Sequence, residues 1–102
     1  MAARTLRHVS IKPGHPGELL REVVIPATGK SKTEIARLLG ISRQTLYDIL
    51  AQRQPVTPTM AVRMGKLFGN GAGLWVRMQA EHDLWTAERT EDVSGIPTLR
   101  AA

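Results

Sequence analysis

The strongest constraint on the fold of this chain is the order of small, turn and apolar residues in its middle third. Ala36 is followed by Gly40 four positions later, and Ile41, Leu46 and Ile49 stand five, ten and thirteen positions after Ala36. Two short helices joined by a tight turn cross steeply, so a small residue suits their closest approach and a glycine suits the turn. The apolar residues then hold the second helix against the first. This order predicts a helix-turn-helix unit with those side chains as its core.

Helix start signals frame the predicted unit on both sides. Ser31 and Glu34 fit a capping box, in which the serine accepts from the backbone N–H three residues on and the glutamate reaches back. Ser42 fits the N-cap of a second helix that begins at Arg43. We therefore place the helix-turn-helix at about residues 31–52.

Apolar residues recur at helical spacing on either side of this unit, which predicts an all-α protein with five helices. Pro16 suits the start of the first helix, and Pro26 is expected to break it. Thr57 before Pro58 starts the fourth helix, and the fifth is expected over about residues 74–88. Along the chain we expect a flexible arm at residues 1–14, a helix-turn-helix domain at 15–90 and a loose tail at 91–102.

Positive charge is concentrated around the predicted unit. The chain has a net charge of +5 and a sequence pI of about 10.5. Residues 30–66 contain seven Lys or Arg against two acids, whereas residues 67–102 contain three Arg against five acids. A basic region around a helix pair is typical of nucleic-acid binding. The acidic C-terminal third is therefore expected to face away from DNA.

Several kinds of site are not expected in this chain. Cysteine is absent, which excludes a disulfide framework and a cysteine-ligated zinc site. No apolar stretch has the length of a signal peptide core or a membrane span, and we expect a cytoplasmic location. His8, His15 and His82 lack metal-ligand spacing, and no nucleophile–base–acid set is visible, so we expect no cofactor and no enzymatic activity. His15 is instead expected to cap or orient the first helix.

The helix-turn-helix pattern resembles that of the lambda-repressor-like (XRE) regulators, which implies a five-helix lambda-repressor-like DNA-binding domain. In such a unit the second helix enters the major groove with its N-terminal residues against base edges. The resemblance implies four base-reading side chains, Arg43, Gln44, Tyr47 and Asp48. Arginine can bind guanine O6 and N7, and glutamine can bind adenine N6 and N7. Phosphate contacts are expected from Lys32, Arg37, Ser42, Thr45 and Arg53.

A narrower resemblance extends from about Pro13 to Arg89. It rests on the opening run His15–Leu20, on the helix-turn-helix with Thr57 after it, and on Leu74-Trp75, Met78-Gln79 and Asp83-Leu84-Trp85. These features resemble the HigA family of antidote proteins, the antitoxins of host-inhibition toxin–antitoxin modules. The family implies two activities, neutralising a small ribonuclease toxin and repressing its own operon as a dimer. His82 and the run Gln52–Pro55 depart from the usual family pattern.

The fifth helix is expected to serve both the core and an interface. Trp75 and Met78 are expected to close the core, while Leu84 and Trp85 are expected to contact a second subunit or the toxin. Two other interpretations stay open. One is a stand-alone lambda-repressor-like transcriptional regulator with no toxin partner. The other is an interaction module that inhibits a partner and binds DNA only incidentally.

Overall fold

The computed structural model describes residues 12–100, and in that part of the chain it contains five helices and no strand. The first helix, α1, passes through three successive turns, of which the middle one is π-helical: Pro16–Leu19, Leu20–Val24 and Ile25–Thr28. The others are α2 (Lys32–Leu39), α3 (Arg43–Leu50), α4 (Pro58–Phe68) and α5 (Ala72–Thr90). Most of the predicted N-terminal arm lies outside the described residues.

The prediction that Pro26 breaks the first helix is wrong. A proline inside an α-helix removes one hydrogen bond and collides with the carbonyl four residues back. Here a wider π-helical turn precedes Pro26, and the Ile25 N–H donates five residues back to the Leu20 carbonyl. The helix therefore accommodates the proline and ends at Gly29, whose φ of +70° lies in the left-handed region.

The predicted N-caps begin three of the helices. The hydroxyls of Ser31, Ser42 and Thr57 each accept from the backbone N–H three residues on, at 3.1, 3.0 and 3.2 Å. The capping box at α2 is only half formed, however, which corrects the expectation for Glu34. Its carboxylate accepts from the Arg37 guanidinium in the next turn, with 2.9 Å from Nε to Oε1, instead of reaching back to the cap.

One apolar core joins all five helices. Ala36, at 1% exposure, lies where α2 meets α3, and Gly40 ends α2 with a φ of +73°. Trp75 of α5 is fully buried, and its Nε1 donates to Asn70 Oδ1 at 2.9 Å, so its predicted place in the core is confirmed. The buried apolar residues are Leu20, Ile25, Ile35, Ala36, Leu39, Leu46, Ile49, Leu50, Val56, Ala61, Met64 and Trp75.

His15 and His82 meet at the junction of α1 and α5. His15 is buried and its Nδ1 accepts from the Gly17 N–H at 2.9 Å, so the expectation that it caps the first helix is confirmed. The His82 ring lies edge-on to it, with 5.0 Å between ring centroids. Burial lowers the pKa of the His15 imidazole, the neighbouring His82 lowers it further, and Asp83 acts in the opposite direction. The cap therefore requires a neutral ring.

We expect the protein to lose stability as the pH falls below the ordinary pKa of histidine. The pKa of His15 is lower in the folded state than in the unfolded chain, so the unfolded chain takes up the proton first. Thermal unfolding at pH 7.5 and pH 5.5 measures this loss, with His15→Asn as the comparison, because asparagine keeps an N-cap acceptor that does not titrate. An equal loss in both proteins would assign the pH dependence to other groups.

Candidate nucleic-acid interface

The N-terminal half of α3 presents polar side chains to solvent while the opposite side of the helix is buried. Arg43, Gln44 and Tyr47 are exposed, whereas Leu46 and Ile49 are each only 1% exposed. The N-cap at Ser42 fixes where the helix begins, and the apolar residues fix its rotation about its own axis. The outward residues are three of the four that the sequence nominates for reading bases.

Asp48, the fourth nominated base reader, forms a cluster with its neighbours. Its Oδ1 accepts from Gln44 Nε2 at 2.9 Å and from Arg53 Nη2 and Nε at 2.9 and 3.2 Å. The hydrogen bond from Arg53, followed by that from Gln44, lowers the pKa of the Asp48 carboxyl. Asp48 thus orients the Gln44 amide, which keeps its oxygen and a second N–H for the two bonds that adenine requires.

The residues nominated for phosphate binding differ in their existing partners. Arg37 is paired with Glu34, and the hydrogen bond from Arg37 lowers the pKa of that carboxyl. The hydroxyl of Ser42 donates to Thr45 Oγ1 at 2.9 Å as well as capping the helix. Lys32 makes no hydrogen bond or ion pair with any described residue. Since Arg53 is paired with Asp48, Lys32 is the nominated cation that needs to break no contact in order to bind a phosphate.

Folding adds two cations that sequence reasoning missed. A shallow cavity of about 430 Å³ lies between the start of α2 and the outer side of α3, with Lys32 and Tyr47 in its lining. Arg21 of α1 and Lys30 also line it. Arg21 is anchored there because its Nη1 donates to the Leu50 carbonyl at 3.1 Å. Lys30 begins the basic stretch of the sequence, whereas nothing local to Arg21 indicates its position.

The helix-turn-helix family matches residues 20–73, which include α2 and α3. The chain belongs to the helix-turn-helix family. The predicted lambda-repressor-like fold class and the resemblance to HigA antitoxins are both confirmed. The match begins within α1 and ends at the second residue of α5, so it covers α4 and most of α1 as well as the two-helix motif.

Relatives and solved structures extend the likeness along most of the chain. "Virulence-associated protein I" of Dichelobacter nodosus is 35% identical over 75 residues, covering 74% of this chain and 69% of that protein. The Pseudomonas aeruginosa antitoxin HigA, solved with the higBA promoter, has a TM-score of 0.72 at 35% identity, covering 76% of this chain and 84% of its own. The antitoxin GraA has a TM-score of 0.78 at 32% identity, covering 91% of this chain and 100% of its own.

Within residues 12–100, no three His, Asp or Glu side chains converge in a way that could hold a metal ion. Nor does any helix in this part of the chain combine the length and apolarity needed to cross a membrane.

Proposed function

We propose that this protein is a sequence-specific DNA-binding antitoxin of a toxin–antitoxin module, which represses its own operon as a dimer in the cytoplasm and neutralises a ribonuclease toxin. The observation that carries the DNA-binding part is the exposed row Arg43, Gln44 and Tyr47 on a helix held rigidly by its buried side. The similarity to an antitoxin solved with promoter DNA supports the same assignment. The toxin is inferred from the HigA resemblance.

Base reading follows from the chemistry of the α3 side chains. Arg43 makes no hydrogen bond or ion pair with a described residue and can bind guanine O6 and N7. Gln44, oriented by Asp48, suits adenine, and the exposed Tyr47 ring can contact a thymine methyl group. Contacts to the phosphates of the DNA backbone set the position of the protein on the duplex without reading sequence. For these contacts we propose Lys32, Arg37, Ser42, Thr45 and Arg53, together with Arg21 and Lys30, which line the cavity beside Lys32.

Dimerisation follows from the small number of bases that one helix can reach. A single recognition helix reads only a few base pairs, so helix-turn-helix proteins usually pair and read two half-sites one helical turn apart. Leu84 is 57% exposed on α5, in the acidic third of the chain, and we propose it for the subunit contact. Trp85 is half-buried, and its ring centroid lies 3.8 Å from the Arg89 guanidinium carbon and 5.5 Å from Lys12 Nζ. It remains our candidate for the toxin contact.

The experiment that tests base reading compares Arg43→Ala with Lys32→Ala. Binding is measured to a duplex selected from a random library by the wild-type protein, and to its single-base variants. Arg43→Ala should cost about 1–3 kcal/mol and relax the preference at particular base pairs. Lys32→Ala should weaken all duplexes about equally, because it contacts only phosphate. An unchanged ranking of duplexes with Arg43→Ala would show that Arg43 reads no base.

The antitoxin and the stand-alone regulator are separated by a genetic test. The reading frames next to the gene are expressed singly, with and without this protein. A small ribonuclease-like product that arrests growth alone, and is silenced by this protein, supports the antitoxin. Absence of any such product favours the stand-alone regulator. If this protein inhibits the partner but shows no sequence-specific DNA binding, the interaction module is favoured.

A further inference from the structure

The residue at which α3 ends differs in kind from those at which three other helices end. The helices α1, α2 and α4 end at Gly29, Gly40 and Gly69, with φ of +70°, +73° and +76°. At the end of α3 the corresponding residue is Gln52, whose φ is +62°. In the part of the chain that the structure describes, Gln52 is the one residue other than glycine with a positive φ.

The hydrogen bonds at the end of α3 require this left-handed backbone. The Gln52 N–H donates to the Ile49 carbonyl at 3.0 Å, and the Arg53 N–H donates to the Asp48 carbonyl at 2.8 Å. This pair of bonds is the Schellman motif, whose left-handed position is usually occupied by glycine. A side chain at that position crowds its Cβ against the backbone. Gln52 therefore lowers the stability of the fold relative to a glycine at the same place.

The Gln52 side chain does not offset this cost by contacts within the chain. It is exposed, and its amide makes no hydrogen bond with any described residue. A strained backbone that the fold does not need is found where the side chain serves a function. The Gln52 amide is therefore expected to bind a partner outside the chain.

The chain leaves α3 on the side that carries the base readers. Ala51 follows Tyr47 by four positions and Asp48 by three, so it lies one turn further on the same face, and it is exposed. Directly after Gln52, the guanidinium of Arg53 lies on the Asp48 carboxylate, with 2.9 Å from Nη2 to Oδ1. Gln52 thus stands at the C-terminal end of the side of α3 that faces DNA.

We propose that the Gln52 amide donates a hydrogen bond to a phosphate oxygen at the edge of the major groove. This deepens the proposed DNA binding and rests on that function. At ~1.5 Å per residue, Gln52 lies roughly 13 Å along α3 from Arg43, which is about the ~12 Å width of the groove. With Arg43 against base edges, Gln52 is carried past the bases to the backbone of one strand. Glutamine is among the side chains that bind phosphates in protein–DNA complexes.

This contact differs from those of the lysines because it is neutral. A Lys or Arg that neutralises a phosphate releases a counterion, and each such contact adds ~0.9 to the magnitude of the slope of log affinity against log salt. The amide of Gln52 donates without a charge and releases none. It should therefore strengthen binding at every salt concentration by the same factor, whereas the contribution of Lys32 falls as salt rises.

Gln52→Gly and Gln52→Ala together separate the amide from the backbone strain. Gln52→Gly relieves the strain and should raise the melting temperature by roughly 2–6 °C, whereas Gln52→Ala keeps the strain and should melt near the wild type. Both variants lose the amide, so both should bind the duplex selected by the wild type about tenfold more weakly as dimers. The ranking of single-base variants of that duplex should not change, because a phosphate contact reads no base.

Two results of this comparison would overturn the proposal. A loss of affinity in Gln52→Gly alone would assign the effect to backbone flexibility and not to the amide. A changed ranking of duplexes in both variants would make Gln52 a base reader.

Gln52→Lys tests directly whether a phosphate lies within reach. A lysine beside a phosphate adds one charged contact in each subunit, so the magnitude of the salt slope should increase by about 1.8 in a dimer. Thr98→Lys is the matched control, since Thr98 is exposed in the acidic C-terminal third and the substitution adds the same charge. It should leave the slope unchanged. Equal slopes for the two variants would overturn the proposed contact.

The same slopes are measured on a duplex of random sequence, because a phosphate contact requires no particular base. A wild type without sequence preference, whose slope still steepens with Gln52→Lys, would reject the repressor and keep the contact. A wild type that prefers one duplex, with Gln52→Lys and Thr98→Lys behaving alike, would reject the contact and keep the repressor. A wild type that binds neither duplex would reject both.

Discussion

Replacing Gly17 by alanine is expected to destabilise the fold by about 3 kcal/mol or more, which would lower the melting temperature by roughly 12 °C or more. A Cβ at this position would lie 1.9 Å from the Ile49 carbonyl oxygen and 2.9 Å from its carbon. Ordinary contact begins at 3.4 Å, so α1 and α3 would have to separate by about 1.5 Å. Neither atom belongs to a flexible side chain, so the strain cannot be relieved by a rotamer change.

The matched control for Gly17→Ala is Gly14→Ala. A Cβ added to Gly14 meets nothing within 4 Å, so we expect a change in stability close to zero. Thermal and urea unfolding of both variants measure the difference. Because Ile49 lies on α3, Gly17→Ala should also impair operator binding at temperatures where the variant remains folded. Identical unfolding of the two variants would mean that α1 and α3 do not cross as closely as described.

Operator affinity is expected to fall by about 10³–10⁵ between 50 and 200 mM salt, the range for six to ten phosphate contacts. Each subunit supplies Lys30 and Lys32 beside α3, and Arg21, Arg37 and Arg53 can add to these once released from their carboxylates. Two subunits therefore reach that number of contacts. A titration across salt concentrations measures the slope, and a flat line would contradict an electrostatic interface.

Substitution of two lysines in turn tests whether positioned phosphate contacts or the overall positive charge of the protein cause this salt dependence. Lys32→Ala should reduce the magnitude of the logarithmic slope by about 1.8 in a dimer, since each lost phosphate contact contributes ~0.9. Lys66→Ala removes the same charge from the groove beside Leu38 and Val62, which is distinct from the cavity that Lys32 and Tyr47 line. It should leave the slope unchanged. Equal effects of the two substitutions would show that net charge, and not a positioned contact, governs binding.

The helix-turn-helix could be predicted because its signals are local. The caps at Ser31, Ser42 and Thr57 each join atoms three residues apart, and Gly40 adopts its left-handed backbone at the turn itself. The spacing from Ala36 to Ile49 places the small and apolar side chains of this segment on the facing sides of α2 and α3, independently of the rest of the chain. The outward direction of Arg43 and Gln44 follows from the same spacing, because Leu46, Ile49 and Leu50 are the buried positions of α3.

Sequence reasoning failed at Glu34 and was incomplete at Asp48, because each carboxylate has more than one possible hydrogen-bond partner. Glu34 has the right position for a capping box, yet Arg37 lies one turn further on and holds its carboxylate. Asp48 stays a predicted base reader, and the structure adds that Gln44 and Arg53 both donate to its carboxylate. Which hydrogen bond forms depends on the geometry and charge of all the candidates together, and a motif names only one of them.

The sequence by itself therefore determined the five helices, the helix-turn-helix and the direction in which α3 presents its polar side chains, since these depend on bonds and periodicity within a few residues. Only the tertiary structure decided that α1 continues through Pro26, that Gly17 faces the Ile49 carbonyl and that Arg21 lies beside Tyr47. It also brought His15 against His82, 67 positions along the chain. Such contacts join residues far apart in sequence, and they are set by how the helices pack around Trp75 and its neighbours, which no local pattern specifies.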